Sequence, residues 1–334
     1  MKLLIVTQVL DKNHPILGFF HRWVEEFAKN CERVTVLCLE EGEHDFPENV
    51  MVHSLGKEFQ RRSFLVYVFR LNCLSLKLRK EYDVVFVHMI PEYVLSAGVL
   101  WKFLRKRVGL WYTHGSVSHS LRIAEKLVDQ IFTAAKEGCN LKSMKVLVTG
   151  HGIDTERFAP CASEKSIDLV TVGRIAKSKN LESLIDSLVM VNETQQTHLS
   201  IVGDAITNAE KKYKHYIESY IEKKGVEHDV HFTGTVGQEN LPEVLTSARL
   251  FVTAAQNGSL DKAVLEAMSC GLHVVSMAPG TISANLKENQ VTTSSQLASQ
   301  IVQLLGSGST FAESNREEVL QNHSLKSLIN KLVT

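Results

Sequence analysis

The sequence predicts an α/β protein built from two doubly wound domains in tandem. Short apolar runs alternate with longer helical patterns along its 334 residues, the alternation pauses once between residues 150 and 165, and it then restarts. Strands that alternate with helices form parallel β-α-β units with right-handed crossovers. A chain of this length also suits about two domains of ordinary size.

The first half opens with a buried strand at Leu3–Val6, and a helix follows at Phe20–Lys29 because apolar residues recur there at helical spacing. A second, basic and partly apolar helix is expected at Lys57–Lys80. The other strands predicted in this half are Val34–Leu39, Val84–His88, Gly109–Thr113, Ile131–Ala134 and Val146–Thr149.

Glycines, a proline and charged residues in Gly150–Lys165 predict a linker between the domains. The alternation then resumes, and the tail from Ser295 is helical and polar. The strands predicted after the linker are Asp168–Val172, Leu199–Val202, Val230–Phe232, Leu250–Thr253 and His273–Ser276, and the helices are Leu181–Val191, Ala209–Lys224, Leu241–Ser247 and Ala263–Cys270.

Composition and motif content exclude several classes of protein. The 37 basic and 37 acidic residues balance, which argues against a nucleic-acid binder, but residues 1–150 carry 21 basic and 16 acidic ones. The six cysteines lack metal-ligand spacing and predict reduced thiols in a cytoplasmic protein. No glycine motif of a dinucleotide enzyme, P-loop ATPase or α/β-hydrolase is present. No apolar run is long enough for a signal peptide or a membrane-spanning helix.

A turn between a strand and a helix carries two cations, Arg174 and Lys179, just before a helix that begins near Asn180. Helix N-termini attract anions, and an arginine fork with a lysine point charge suits a diphosphate. The pattern therefore predicts a phosphate site. Two solvated loop cations are the alternative.

A second turn precedes the helix that starts near Lys262. The backbone N–H groups of Leu260, Asp261 and Lys262 would point out of that helix start and suit phosphate or sugar oxygens. Glu266 lies a turn further among apolar neighbours and needs a partner there. A carboxylate near a nucleotide can hold both ribose hydroxyls, and an ordinary solvated helix residue is the alternative.

Several motifs of the second half occur in a fixed order, namely His151–Pro160, Val172–Arg174 with Lys179, Ile201–Asp204, Phe232–Gly234 and Leu265–Gly271. Together they resemble the donor domain of GT-B glycosyltransferases of family GT4, over most of residues 145–276. The resemblance implies two Rossmann-like domains that face each other across a cleft. It also implies sugar transfer from a nucleotide-sugar with retention of anomeric configuration, without metal or other cofactor, and a UDP- or GDP-sugar as the donor.

The resemblance also assigns roles. Arg174 and Lys179 match the pair that binds the donor diphosphate, Glu266 matches the ribose-binding glutamate of an E-x7-E motif, and Gly234–Val236 matches the turn that reads the nucleobase. The first glutamate of that motif is replaced by Gly258, so we expect Asp261 and Lys262 to take its place. The residues expected to bind the donor are Gly18, Arg174, Lys179, Gly203, Gly234, Thr235, Val236, Leu260, Asp261, Lys262 and Glu266.

The first half resembles the family at two places. His114 follows a strand in Tyr112–Gly115, similar to the family's T-x-H-G segment, and is expected to be catalytic because an imidazole can donate a hydrogen bond near neutral pH. Gly18 resembles the glycine of a loop over the donor phosphates. A structural histidine and an ordinary helix-entry glycine are the alternatives, and His88 competes for the role of His114.

We therefore expect an acceptor-binding domain at 1–158, a donor-binding domain at 159–315 and a C-terminal helix, 316–334, that packs back on the first domain. The expected acceptor is a glycan, a lipid-linked sugar or a small molecule, in cell-envelope polysaccharide or glycoconjugate synthesis. Two alternatives stay open: a nucleotide-sugar epimerase of this fold, and a nucleotide-sugar-binding partner subunit without turnover.

Two stretches of the first domain are basic and partly apolar, Lys57–Lys80 and Trp101–Arg107. They suggest that this domain contacts the cytoplasmic face of an anionic membrane peripherally. The alternative is a helix packed on the core with a solvated basic edge.

Overall fold

A computed structural model describes residues 1–14, 16–60, 62–161, 163–256, 260–284, 290–309 and 311–333. By its internal contacts the chain divides into two compact units, residues 1–152 with 325–334, and residues 153–324. Gly152 packs against Trp23 of the first unit, whereas the N–H of Ile153 donates to the carbonyl of His323 in the second. The units thus divide six residues before the boundary expected from the sequence.

The first unit is built on a parallel seven-stranded sheet in the order β3-β2-β1-β4-β5-β6-β7. Its strands are β1 (Lys2–Leu10), β2 (Arg33–Glu41), β3 (Val50–Ser54), β4 (Val84–His88), β5 (Arg107–Trp111), β6 (Gln130–Thr133) and β7 (Val146–Val148). Its first helices are α1 (Phe19–Asn30), α2 (Phe64–Lys77), α3 (Pro91–Phe103) and α4 (His119–Leu127).

Helix α2 begins seven residues later than the sequence predicted. Ser63, in extended conformation, occupies its N-cap. The hydroxyl of Tyr67 accepts from the N–H of Arg62 at 2.8 Å and donates to the carbonyl of Gln60 at 3.2 Å. These bonds satisfy the backbone groups of Gln60 and Arg62 without helical pairing.

The second unit is built on a parallel five-stranded sheet in the order β10-β9-β8-β11-β12. Its strands are β8 (Ile167–Val172), β9 (Leu199–Val202), β10 (Val230–Gly234), β11 (Ala248–Thr253) and β12 (His273–Ser276). Its helices are α5 (Leu181–Asn192), α6 (Asn208–Lys224), α7 (Leu241–Thr246), α8 (Lys262–Ser269), α9 (Ser294–Gly306) and α10 (Glu313–Glu318).

The last helix, α11 (Leu325–Val333), belongs to the first unit. Leu328 and Ile329 are buried in the core that contains α1, and the ammonium of Lys331 donates to the carbonyl of Thr149 at 3.0 Å. The chain therefore enters the second unit once and returns to the first at its C-terminus.

Candidate functional site

Three glycines line the carboxyl edge of the second sheet. Gly173 and Gly203 follow β8 and β9 with φ angles of 146° and 133°, and a Cβ on Gly203 would lie 2.0 Å from the carbonyl oxygen of Gly173. The N–H of Gly203 donates to the carbonyl of Gly234 at 2.8 Å. Only glycine fits such an approach, so three adjacent strands end in a glycine surface of closely packed backbone, with open space beside Gly234.

The side chain of Lys179 lies across this glycine surface. A Cβ on Gly173 would lie 2.6 Å from Cε and 2.8 Å from Nζ of Lys179, so the missing side chain makes room for the lysine. Its ammonium forms an ion pair with Asp261, and the two side chains are only 18% and 15% exposed. Lys179 thus connects the end of β8 to the start of α8.

Asp261 serves two groups at once. It is the N-cap of α8, where one carboxylate oxygen accepts from the N–H of Ala263 at 3.2 Å, and its other oxygen pairs with Lys179. Leu260 beside it is buried. Gly258, where the family motif departs, lies outside the described residues.

Glu266 is buried within α8 and has the partner that its surroundings require. Its Oε1 accepts from the ammonium of Lys262, one helical turn earlier, at 2.6 Å. A buried carboxylate without such a partner would be strongly unfavourable. Lys262 and Glu266 therefore form a pair on the same face of the helix, next to the pair of Lys179 and Asp261.

Arg174 turns toward the start of α6. Its guanidinium lies 2.8 Å from Oε1 of Glu210, while Oε2 of Glu210 accepts from the N–H groups of Thr207 and Ile206 at 2.8 and 3.0 Å. Thr207 and Glu210 form a capping box. The pKa of Glu210 lies below its usual value. The main cause is the hydrogen bond from the N–H of Thr207, and the bond from Ile206 and the charge of Arg174 lower it further.

The helices α5 and α6 start in different ways. Asn180 does occupy the N-cap of α5, but in left-handed conformation with φ 49°, and its side chain donates to Ser183 instead of capping a backbone N–H. Asp204 is not the cap of α6, because Thr207 holds that position. Asp204 instead binds the ammonium of Lys214 at 2.9 Å, and this bond is the main cause of its lowered pKa.

Thr235 and Val236 follow β10, the edge strand of this sheet. Thr235 is exposed and Val236 half-buried. Because β10 lies next to β9, they continue the carboxyl edge away from Lys179. The structure therefore brings Gly173, Lys179, Gly203, Gly234 and Asp261 into one contact network, with Thr235 and Val236 at its edge.

Gly18 and His114 belong to the first unit, at the carboxyl edge of its sheet. Gly18 has an ordinary helical φ of −56°, and glycine is required there because a Cβ would lie 2.7 Å from the carbonyl oxygens of Lys12 and His14. His114 is exposed after β5, with its Nδ1 2.9 Å from the hydroxyl of Ser116.

His88 ends β4 in a wholly buried position. It stacks on Phe20 at a centroid distance of 4.0 Å, and its Nδ1 lies 3.2 Å from the hydroxyl of Thr7. Burial lowers its pKa to about 3. A neutral, stacked imidazole of this kind has a structural role, so His114 is the accessible histidine of the two.

The arrangement in the second unit provides two cations that can bind an anion. Lys179 and Arg174 are cations at one strand end, and both are balanced by carboxylates of the same unit. The part of the chain that the structure describes contains no group of three or more His, Cys, Asp or Glu residues able to hold a metal ion. Within that part, no helix has the length and apolar content to cross a bilayer.

Comparison with known proteins gives a family match over residues 152–316, to the family described as "Glycosyl transferases group 1". Mannosylfructose-phosphate synthase of Agrobacterium fabrum (strain C58 / ATCC 33970) is 26% identical over 153 residues, 42% of this chain and 34% of that protein. Sulfoquinovosyl transferase SQD2 of Arabidopsis thaliana is 26% identical over 231 residues, 65% of this chain and 41% of that protein. The chain thus matches about two fifths or less of the length of these relatives.

Among solved structures, the crystal structure of Anabaena HepE in complex with UDP aligns with a TM-score of 0.77 and 18% sequence identity. The alignment covers 99% of this chain and 98% of that chain. At this level of identity the likeness concerns the fold, and it extends over both units.

Proposed function

We propose that this chain, which belongs to the glycosyl transferases group 1 family and has the GT-B fold, transfers a sugar from a nucleoside-diphosphate sugar to an acceptor hydroxyl with retention of anomeric configuration. The acceptor is a glycan, a lipid-linked sugar or a small molecule, in cell-envelope polysaccharide or glycoconjugate synthesis. The observation that carries the proposal is the bare backbone of Gly173, Gly203 and Gly234, with Lys179 lying across it at the start of α8.

In this proposal the donor diphosphate lies on the glycine surface. Lys179 and Arg174 face its oxygens, Glu266 holds the ribose hydroxyls, and Thr235 and Val236 contact the base through their backbone. Asp261 and Lys262 lie beside the donor sugar. His114, on the first unit, is the catalytic residue that the sequence predicts. Since HepE was solved with UDP, UDP-sugars are the first donors to test.

The chemistry needs little beyond stabilisation of charge. The bond between C1 of the sugar and the diphosphate oxygen breaks as the acceptor oxygen bonds to C1 from the same face, and the acceptor proton passes to the leaving phosphate. Negative charge grows on that phosphate during the reaction. Lys179 and Arg174 therefore bind the transition state more tightly than the ground state, which is the source of the rate enhancement.

The first experiment measures donor binding by thermal shift with UDP, GDP, ADP and their sugars. A ligand at 100 times its Kd raises the free energy of unfolding by about 2.7 kcal/mol, so one nucleotide series is expected to raise Tm by several degrees. Lys179→Ala should weaken that nucleotide at least tenfold. Lys177→Ala is the matched control, because Lys177 is an exposed lysine of the same turn and should bind normally.

The second experiment follows transfer with the donor so identified and a panel of acceptors. Product should form only when an acceptor is present, and its anomeric configuration, read by NMR coupling, should equal that of the donor. Sugar conversion without acceptor would indicate an epimerase, and donor binding without any turnover would indicate a binding subunit. If the Lys179→Ala and Lys177→Ala variants bound nucleotide with equal affinity, the assignment of the donor site would be wrong.

A further inference from the structure

Helices α2 and α3 expose large apolar side chains on the outer face of the first unit. Leu65 and Phe69 of α2 are 75% and 69% exposed, and Phe103 of α3 is 83% exposed. The solvent-facing side of a helix on a soluble domain is normally polar. The exposed apolar residues of these two helices are Phe64, Leu65, Phe69, Leu76, Val99 and Phe103.

The two helices lie side by side, so these residues belong to one surface. The amide of Asn72 on α2 donates to the carbonyl of Ser96 on α3 at 3.0 Å, and the indole of Trp101 donates to the hydroxyl of Ser75 at 3.2 Å. Ser75 is buried. Leu65 and Phe69 are four residues apart and share the opposite, outer side of α2.

The same surface is strongly basic. Residues 59–80 contain six lysines and arginines and no acidic residue. Within the described part of the chain, six exposed cations on or beside the two helices have no carboxylate within salt-bridge distance. These cations are Arg62, Lys77, Arg79, Lys80, Lys102 and Arg105.

We propose that this α2–α3 surface docks on an anionic lipid bilayer. The phenylalanine and leucine side chains enter the headgroup region, and the cations around them pair with lipid phosphates. The proposal goes beyond the transfer reaction and does not depend on it, because no residue of the candidate donor site takes part.

The charge of the surface favours a bilayer over a second copy of the chain. A symmetric dimer through this surface would bring the same patch of each copy face to face. The exposed cations Arg62, Lys77, Arg79 and Lys80 would then oppose each other, and residues 59–80 contain no acidic residue to separate them. An anionic membrane supplies the opposite charge and an apolar layer at the same place.

The test uses the full chain and sedimentation with vesicles of phosphatidylcholine alone or with 30% phosphatidylglycerol, without nucleotide. The chain should sediment with the anionic vesicles and stay in solution with the neutral ones, and 0.5 M NaCl should release most of it, because salt screens exposed charges. Since no donor is present, the result is independent of the proposed reaction.

Two pairs of variants locate the contact. Leu65→Ser with Phe69→Ser should weaken partitioning to anionic vesicles at least tenfold. Met190→Ser with Ile206→Ser, which changes two exposed apolar residues of the second unit, should leave it unchanged. All four side chains are exposed, so each variant should unfold at nearly the native temperature, which circular dichroism checks.

The charge is tested in the same way. Lys77→Glu, Arg79→Glu and Lys80→Glu together should weaken partitioning on the order of 100-fold, because each basic residue near an anionic surface contributes roughly fivefold. A control variant of equal net charge changes the exposed Lys142, Lys212 and Lys223 to Glu. Its partitioning to anionic vesicles should weaken far less.

Three results would overturn the proposal. The first is equal sedimentation with neutral and anionic vesicles. The second is an equal loss of vesicle binding in the α2–α3 variants and in their controls. The third is self-association in lipid-free solution that the Leu65→Ser, Phe69→Ser variant abolishes. The last result would assign the surface to contact between copies of the chain.

Discussion

Asp261→Asn is expected to tighten binding of the nucleotide, although it removes a charged residue from the candidate site. Asp261 neutralises Lys179 through one carboxylate oxygen and caps α8 through the other. Asparagine is as good an N-cap as aspartate, so the helix keeps its cap. The substitution therefore removes mainly the negative charge that competes with a diphosphate for Lys179.

The expected gain follows from the geometry. If Lys179 bridges the carboxylate and a phosphate oxygen, the two negative charges lie roughly 6 Å apart, and they repel by about 0.7 kcal/mol at the dielectric constant of water or about 2.8 kcal/mol at an effective value near 20. The Lys179 and Asp261 side chains are mostly buried, which favours the upper part of this range. UDP should thus bind about 30- to 100-fold more tightly, and the lower limit of the range corresponds to about threefold.

Isothermal titration of UDP into the native chain and the Asp261→Asn variant measures this difference, with inorganic pyrophosphate as a second ligand. Both ligands should gain by a similar factor, since the repulsion acts on the phosphates. The gain should shrink as salt is added. Unchanged or weaker binding by a variant that retains the native fold would refute the idea that Asp261 competes with the donor for Lys179.

Three further substitutions test other parts of the structure. Glu266→Gln should weaken UDP about tenfold, as expected for a lost hydrogen bond to a charged group, and leave pyrophosphate binding unchanged in the same titration, since pyrophosphate has no ribose. Gly203→Ala should lower the free energy of unfolding by about 2–5 kcal/mol, because the new Cβ clashes with Gly173 and the φ angle is strained. Gly225 has open space around it, so Gly225→Ala should lower the same free energy by only about 1 kcal/mol. Urea unfolding measures both values. Burial lowers the pKa of His88 to about 3 in the folded chain, below the value near 6.5 in the unfolded chain. The free energy of unfolding should therefore be highest above pH 6.5 and fall by up to about 1.4 kcal/mol per pH unit toward pH 3. His88→Gln should reduce this slope between pH 6.5 and 5.

The sequence predicted the fold class, which is confirmed, and a likeness to glycosyltransferases, for which a family match covers residues 152–316, but it missed three elements of the first unit. Strand β3 is a half-exposed edge strand without a buried apolar run. Helix α3 has apolar residues on most of its circumference and so lacks a clear polar face. Helix α4 has only nine residues, and its start is marked mainly by the cap of Ser118.

The candidate site was predicted as a set of residues, but not as a set of pairs. A motif identifies Lys179 and Asp261, yet their contact depends on the loop between β8 and α5, which no local pattern specifies. The partner of Arg174 had a visible signal, because Thr207 and Glu210 have the spacing of a capping box. That signal identifies a helix start, and only the fold brings the start beside Arg174.

The charge imbalance of the first half has a specific location. Without residues 59–80, residues 1–150 contain 15 basic and 16 acidic residues, so this one segment carries the whole excess. A helix that merely packs on the core with a solvated edge requires neither this concentration of charge nor exposed Leu65 and Phe69. In the second unit, by contrast, the cations Arg174 and Lys179 are each paired with a carboxylate. An anion that binds there must compete with a carboxylate, whereas one that meets the α2–α3 surface competes only with backbone carbonyls, as at Arg79 and Lys102. Added salt should therefore weaken vesicle binding more steeply than it weakens nucleotide binding.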